Sequence, residues 1–529
     1  MREPAREGSK IAADADNVEL GNGAPLADQY DVVVVGSGLG GLSAAAFLAD
    51  AGKSVLVAER APALGGYAHS FDRGPYHFDP AIHTIGQGEG LLLTKLFDHL
   101  GVGDLCQFVR SNRFYGAVFP GFSATTAAGR DEYVESLTRH FPAEEQPLLE
   151  FLALCGQIHR DVHSLPPALS LAALDAAVAQ HPVLFKYLNA SVGTLLDETL
   201  SEPRLKALVG AVWPYFGLPP DRLSVLTWST PLLSLVEDGV FQCEGGAQAL
   251  VDALAEAVRR RNGELRTGCE VASIVVEDGT AVGVLLADGR RIESKVVVSN
   301  ADGYRTYSEL VGFEGLPPPF VRRLERMRPS LSAFQLYLVT TLPLDDLDLA
   351  PSVFVYDGWE HDSTYEQILG GTPRAVWVNF PSLTDDSLAP AGESVIVATA
   401  LAPYDVGEPW PAAAERYAQL VLEKIDRAAP GVSGALTHVE AATPLTLERY
   451  ASSWRGAIYG WEPSPDQAGS RRLGHRGPID GLYLSGQWTQ PGAGTFRVIF
   501  SGIETTLAIL GGDHADAFLR SIGLLSAPA

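Results

Sequence analysis

The sequence predicts an α/β protein that opens with a Rossmann-like dinucleotide-binding unit and continues into a longer region of mixed α and β character. Three stretches predict it. Tyr30 to Arg60 reads as strand, glycine turn, helix and strand; Glu270 to Val298 reads as a three-stranded β-meander; Gly481 to Leu510 reads as a second strand, glycine turn and helix.

Within the first stretch, Val32 to Val35 is a short β-branched run, Gly36-Ser37-Gly38-Leu39-Gly40-Gly41 follows, and Leu42 to Ala51 is an alanine-rich helix. Gly52 suits a left-handed helix cap, and Ser54 to Ala58 forms the next strand, ending in Glu59-Arg60. In such a unit Gly36 permits the sharp turn, Gly38 lets the backbone approach a pyrophosphate, and Gly41 lets the helix pack on the strand. The helix N-terminus then faces the phosphates. Glu59, eighteen residues after Gly41, stands where a carboxylate accepts hydrogen bonds from a ribose. A glycine-rich turn alone is a weak signal, but strand, helix and terminal acid in register specify a dinucleotide.

With 529 residues the chain can bury a large core, and 64 acidic against 39 basic residues give a net charge of −25. That balance disfavours nucleic acid and anionic lipid as partners. The scattered Cys106, Cys155, Cys243 and Cys269 match no zinc or redox spacing, and they read as reduced, buried thiols of a cytoplasmic protein. Residues 1–29 are polar and mixed in charge and read as a disordered tail. No window offers the roughly 18 apolar residues of a membrane span, so membrane contact is at most peripheral.

After Arg60, the loop from Ala61 to Phe71 carries Gly65-Gly66 beside the expected dinucleotide. His69, His77 and His83 are spaced unlike metal ligands and read as structural or hydrogen-bonding residues, with no metal site. From Glu89 to Pro220 the period is helical, in Leu91 to Leu100, Leu148 to Ile158, Ala168 to Val178 and Val183 to Leu200. Trp213, Tyr215, Phe216, Trp228 and Phe241 gather near its end, either as core or as the lining of an apolar ligand tunnel. A helix is expected over Ala247 to Asn262. The meander strands are Glu270 to Glu277, Thr280 to Ala287 and Arg291 to Val298, joined by Asp278-Gly279 and Asp288-Gly289. Further strands are expected at Ala333 to Val339, Ala375 to Asn379 and Glu393 to Ala400, with helices at Ala412 to Ala428 and Phe500 to Leu510.

These motifs, together with Gly245-Gly246, Val298 to Asp302, Glu448-Arg449-Tyr450, Gly456 to Gly460 and Gly481 to Gly494, resemble the amine-oxidase-like flavoprotein superfamily. Within it the chain is similar to the phytoene-dehydrogenase-like group of carotenoid desaturases, carotenoid isomerases and retinol saturases. The resemblance implies non-covalent FAD in a discontinuous domain, 30–88, 242–302 and 480–512, that includes the meander. It implies a mixed α+β substrate domain with a helical insertion over 89–241 and 303–479. It carries cofactor contacts to Gly36, Ser37, Gly38, Leu39, Gly40 and Gly41 in the turn, to Glu59 at the ribose with Arg60 after it, and to Gly65, Gly66 and Ser70 along the loop. Val271 would meet adenine, and Gly486, Gln487 and Gly492 would lie near the flavin, where the usual aspartate after the first glycine is lacking. The flavin carries the chemistry; Trp488, His83, Arg455 and Tyr459 are the candidates beside it. The implied activity is desaturation, saturation or isomerisation of an apolar polyene or isoprenoid, with NADPH as a candidate electron donor. Two alternatives keep part of the pattern: reductive cyclisation of a polyene in pathways to polycyclic tetramate macrolactams, and a flavin-free prenyl-protein binding module of the GDP-dissociation-inhibitor type.

Overall fold

The structure is a computed structural model, and it describes residues 25–88, 90–164 and 171–524. The expected tail, apart from 25–29, and the expected helix start at 168–170 lie outside the described residues.

The local signals at the N-terminus become β1 (Gln29–Val35), α1 (Leu39–Asp50) and β2 (Val55–Ala58). β1 and β2 run parallel, with Val32 opposite Val55 and Val35 opposite Ala58. Val32 to Val35 are all buried, as a strand covered on both faces requires. The strand Arg291–Ser299 flanks β1 on the other side, also parallel, and Glu264–Arg266 flanks β2. Small residues let α1 sit deep: Ala44, Ala45 and Ala46 are fully buried. The helices Gln248–Arg260 and Thr495–Leu510 pack against α1.

The meander is built from Val271–Glu277, Thr280–Leu286 and Arg291–Ser299. Its third strand changes partner along its length. Arg291 to Glu293 pair with Thr280–Leu286, whereas Val297 to Ser299 pair in parallel with Leu482–Leu484. Strands from three distant parts of the chain thus form one seven-stranded sheet.

A second seven-stranded sheet has the order Leu436–Ala442, Ser332–Thr340, Ser394–Ala402, Ala375–Asn379, Ser352–Tyr356, Arg113–Phe119, Phe122–Ala127. All neighbours are antiparallel except Ser352–Tyr356 with Arg113–Phe119. The helix Trp410–Ala428 covers one face with Tyr417, Val421 and Ile425. On the other face Phe354, Tyr356 and Trp377 join a helical core containing Trp213 and Trp228.

The structure corrects three expectations. The region read as helical in period from Glu89 to Pro220 also contains the strands Phe108–Ser111, Arg113–Phe119 and Phe122–Ala127. Phe114 to Ala117 are buried in succession, so the alternation that marks a half-exposed strand is missing. The expected helix Val183 to Leu200 is two, Pro182–Tyr187 and Val192–Thr199, because Ser191 caps a new start by accepting from Thr194 N. The helix expected over Phe500 to Leu510 begins five residues earlier, at Thr495. Trp213, Trp228 and Phe241 are core residues, and Tyr215 and Phe216 are the partly buried ones of the aromatic set. Among the described residues no helix is long and apolar enough to cross a membrane.

Candidate functional site

β1 delivers the chain to Gly36, whose φ of 91° is open only to glycine at no steric cost. Two residues later Gly38 stands at the N-cap of α1, and no side chain caps the helix. Its first backbone N–H groups are therefore left for a ligand. Gly41 is required by packing: a Cβ there would lie 2.4 Å from the Gly36 carbonyl oxygen and 2.9 Å from Asn300 Cβ. Gly40 meets the C-terminal motif, since its Cβ would stand 2.6 Å from Gly486 Cα.

Asn300 ties the two glycine motifs together. It leaves the strand Arg291–Ser299 with its N–H on the Val35 carbonyl (2.9 Å) and donates Nδ2 to the Ser485 carbonyl (2.9 Å). Ser485 Oγ in turn donates to the Gly40 carbonyl (2.8 Å), and Gly486 N donates to Ser501 Oγ (3.0 Å). A Cβ on Gly38 or Gly486 would come within 2.6 Å or 2.3 Å of the Asn300 amide. Sequence reasoning noted Asn300 only as part of a motif. Its partners lie hundreds of residues away, so no local signal marked its role.

Glu59 stands at the opposite side of the turn. One carboxylate oxygen accepts from Ser37 N (2.8 Å) and Ser37 Oγ (2.6 Å), and the other accepts from Ala61 N (2.8 Å). Ser37 Oγ also accepts from Gly65 N (3.1 Å), and a Cβ on Gly66 would sit 3.4 Å from Gly38 Cα. Gly36 to Gly41, Glu59, Gly65, Gly66 and Gly486 therefore form one cradle. Val271 begins the neighbouring strand, two residues beyond Cys269, whose N–H donates to the Glu59 carbonyl (2.7 Å).

The other expected cofactor residues have these neighbours in the protein. Arg60 is exposed and reaches the Arg449 carbonyl (3.3 Å). Ser70 donates to Asp79 and accepts from Gln248 N (3.1 Å), so its hydroxyl helps hold the start of the helix Gln248–Arg260. Gln487 gives its carbonyl to Arg472, and Gly492 lies beside the guanidinium groups of Arg472 and Arg497.

Arg472 was not marked by its sequence. It is buried, and it donates to the carbonyls of Tyr459, Trp461, Gln487 and Thr489 at 2.6–3.2 Å. It thus clamps the 459–461 segment onto the C-terminal glycine motif. Burial, together with Arg497, pulls its pKa down to about 9.

The four candidates expected beside the flavin differ in surroundings. Trp488 is core, edge-on to Trp461 with centroids 4.9 Å apart. Tyr459 donates its hydroxyl to the Pro214 carbonyl (2.9 Å), and burial raises its pKa. Arg455 is exposed in a left-handed conformation, φ 54°. His83 is buried with neither ring nitrogen hydrogen-bonded, and burial lowers its pKa to about 4. Its segment runs against the antiparallel sheet: Gln335 donates to the Pro80 carbonyl (2.5 Å), and Thr84 meets Ser352 (3.4 Å). Among the described residues no three side chains of metal-ligand type gather.

An uncapped helix start, glycine faces that leave space and an adjoining carboxylate fit a flavin dinucleotide. The sequence profile of the flavin containing amine oxidoreductases matches residues 39–510, and the chain belongs to that family. It is a FAD-dependent oxidoreductase of mixed α/β fold. It is 28% identical over 503 residues to the all-trans-retinol 13,14-reductase of Macaca fascicularis, covering 87% of this chain and 82% of the relative. It is 30% identical over 491 residues to the neurosporene-forming phytoene desaturase of Rhodobacter capsulatus, covering 89% and 92%. It is 27% identical over 501 residues to the chloroplastic prolycopene isomerase of Arabidopsis thaliana, covering 90% and 81%. Among solved structures, an oxidoreductase from Methanosarcina mazei superposes with a TM-score of 0.59 at 18% identity, covering 90% of this chain and 99% of that one.

Proposed function

We propose that this protein uses FAD to desaturate, saturate or isomerise carbon–carbon double bonds of an apolar polyene or isoprenoid. One observation carries the reading. Relatives that match 87–90% of the chain are named for retinol, phytoene and prolycopene, so the shared feature is a polyene while the reaction varies. The flavin, when bound, supplies an acceptor or donor of an electron pair. What falls to the chain is binding, orientation and exclusion of water.

In this reading the uncapped start of α1 with Gly36, Gly38 and Gly41 takes the pyrophosphate, and Glu59 takes the adenosine ribose. Val271 offers backbone to adenine, while Gly65, Gly66, Gly486, Gln487 and Gly492 border the flavin. Arg472 holds the Gln487 and Thr489 carbonyls in place and keeps that border rigid. Residues 30–88, 242–302 and 480–512 act as the cofactor unit, and 89–241 with 303–479 as the substrate unit. The single seven-stranded sheet drawn from all three cofactor segments supports this division. The segment from Asp79 to Gly88 lies where the two units meet, and His83 is its unpaired polar side chain. The protein works in the cytoplasm, soluble or peripherally attached to membrane, with NADPH as the donor if the reaction is reductive. No observation here favours reductive cyclisation or a flavin-free binding module.

The test is an anaerobic titration of the purified, flavin-loaded protein with retinoid- and carotenoid-length polyenes and with small amines, read in the flavin absorption bands. Polyenes are expected to perturb or reduce the flavin. A response to small amines alone would overturn the polyene assignment.

A further inference from the structure

The chain has four cysteines, all buried and free. Cys155 lies in the helical core and Cys269 in the core behind the meander. The other two share a third core and are neighbours: Cys106 Sγ lies 2.7 Å from Cys243 Sγ, although 137 residues separate them.

That contact follows from the backbone. The strand Phe108–Ser111 pairs antiparallel with Val240–Cys243, Phe108 opposite Cys243, and Glu244 N donates to the Gln107 carbonyl (3.0 Å). Cys106 sits just before the end of this ladder, after the turn Gly103–Leu105, and its side chain folds inward to meet Cys243. Non-bonded carbon atoms settle at about 3.5–4.0 Å; at 2.7 Å the two sulfurs are closer, in a thiol hydrogen bond that either can donate. A disulfide is ~2.05 Å, and the remaining gap lies within ordinary side-chain adjustment.

We propose that Cys106 and Cys243 are a cross-linking pair, oxidised reversibly to a disulfide by a small peroxide. The reaction balances with hydrogen peroxide alone. One sulfur attacks the O–O bond and becomes a sulfenic acid as the first water leaves; the second sulfur displaces its hydroxyl, and a second water forms. Two thiols lose two protons and two electrons, and the peroxide takes up both. The Cys106 contact and burial both raise the pKa of the Cys243 thiol, which slows attack through that sulfur.

The bond would fasten a structurally sensitive place. Cys243 lines a cavity of about 20 Å³ with His83, Asp79, Gln242 and Gly246. It also immediately precedes the turn whose Ala247 N–H is held by Asp79 (3.0 and 3.1 Å). From there the helix Gln248–Arg260 runs against α1. Oxidation would close a long loop and stiffen that support.

The experiment treats the native flavin-loaded protein with hydrogen peroxide, then denatures, alkylates and maps it by mass spectrometry. Four alkylated cysteines are expected before treatment and two after it, with Cys155 and Cys269 still alkylated and the Cys106 and Cys243 peptides joined. A thiol reductant should restore all four, and the thermal midpoint should rise on oxidation and fall on reduction. In Cys106→Ser the midpoint should no longer respond to peroxide. Four alkylatable cysteines after treatment, sulfinic acid in place of a cross-link, or a cross-link through Cys155 or Cys269 would overturn the assignment.

Discussion

The cradle around Asn300 is tightly packed but partly open, the aromatic core around Trp213 is closed, and the two are built on opposite principles. At Asn300 four glycines, Gly38, Gly40, Gly41 and Gly486, approach so closely that an added Cβ would collide with its surroundings at 2.3–2.6 Å. At Trp213 the largest side chains are fully buried, and hydrogen bonds run through three buried side chains. Trp213 Nε1 donates to His361 Nδ1 (3.0 Å), His361 Nε2 to the Ala207 carbonyl (2.8 Å), and Tyr115 to the Leu208 carbonyl (2.8 Å). The cradle keeps backbone groups within reach of a ligand and tolerates no addition. The core holds the antiparallel sheet against the helices and tolerates no loss of a partner.

The sharpest way to break the cradle is Gly41→Val. Its Cβ would meet the Gly36 carbonyl and Asn300 Cβ, and neither is the far end of a flexible side chain. We expect no soluble, flavin-bearing protein, a loss beyond the roughly 1–3 kcal/mol of ordinary overpacking. Gly52→Ala is the control: nothing lies within 4 Å of its Cβ, and only the φ of +80° is strained. That change should cost about 1 kcal/mol and leave flavin content unchanged. Bound flavin per protein and thermal unfolding distinguish the two; normal flavin content in Gly41→Val would refute the packing argument.

The core is broken by a proton. His361 accepts from Trp213 on one nitrogen and donates to Ala207 on the other, an arrangement that only the neutral ring can make. Burial accordingly lowers its pKa from 6.5 to about 4. As pH falls, the unfolded chain takes up the proton before the folded one. The contribution of neutral His361 is complete above pH 6.5 and erodes as pH drops toward 4, by on the order of 3 kcal/mol in total. His361→Gln offers one acceptor and one donor without titrating. Stability compared at about pH 7.5 and about pH 5 should fall less in the variant than in the parent, and His83, present in both, cancels. Equal acid losses would show that His361 does not set this slope.

The two regions also differ in how far their sequences betray them. β1, its glycine turn, α1 and Glu59 were legible because strand, turn, helix and acid lie within one 31-residue window and each carries a local signal. Asn300 and Arg472 were not, because what they do depends on contacts to Gly40, Gly486, Tyr459 and Gln487 that only the fold creates. The strand Arg113–Phe119 was hidden for another reason: buried neighbours on both faces erase the period of two. The helix break at Ser191 needed its capping bond to Thr194 to become visible. In the site, Ser70 and Arg60 lie near the glycine motifs in sequence, and their bonds to Asp79 and the Arg449 carbonyl are contacts that only the fold creates.

A change at Glu59 tests whether the cradle's acid belongs to the ligand or to the fold. Glu59 already accepts three hydrogen bonds from Ser37 and Ala61, so part of its work is to shape the turn without any cofactor. A carboxylate has about four lone-pair positions, which leaves capacity for a ribose hydroxyl. Glu59→Ala removes both functions, whereas Glu59→Gln keeps one acceptor oxygen and turns an NH2 group toward a backbone N–H. We expect Glu59→Ala to weaken FAD by roughly ten- to a hundredfold, about 1.5–3 kcal/mol, with a smaller loss of stability in the cofactor-free protein. Fluorescence titration of the apoprotein with FAD gives the first quantity and its thermal unfolding the second. An unchanged FAD affinity with a large drop in apoprotein stability would assign Glu59 to the turn alone and move the ribose contact to another residue.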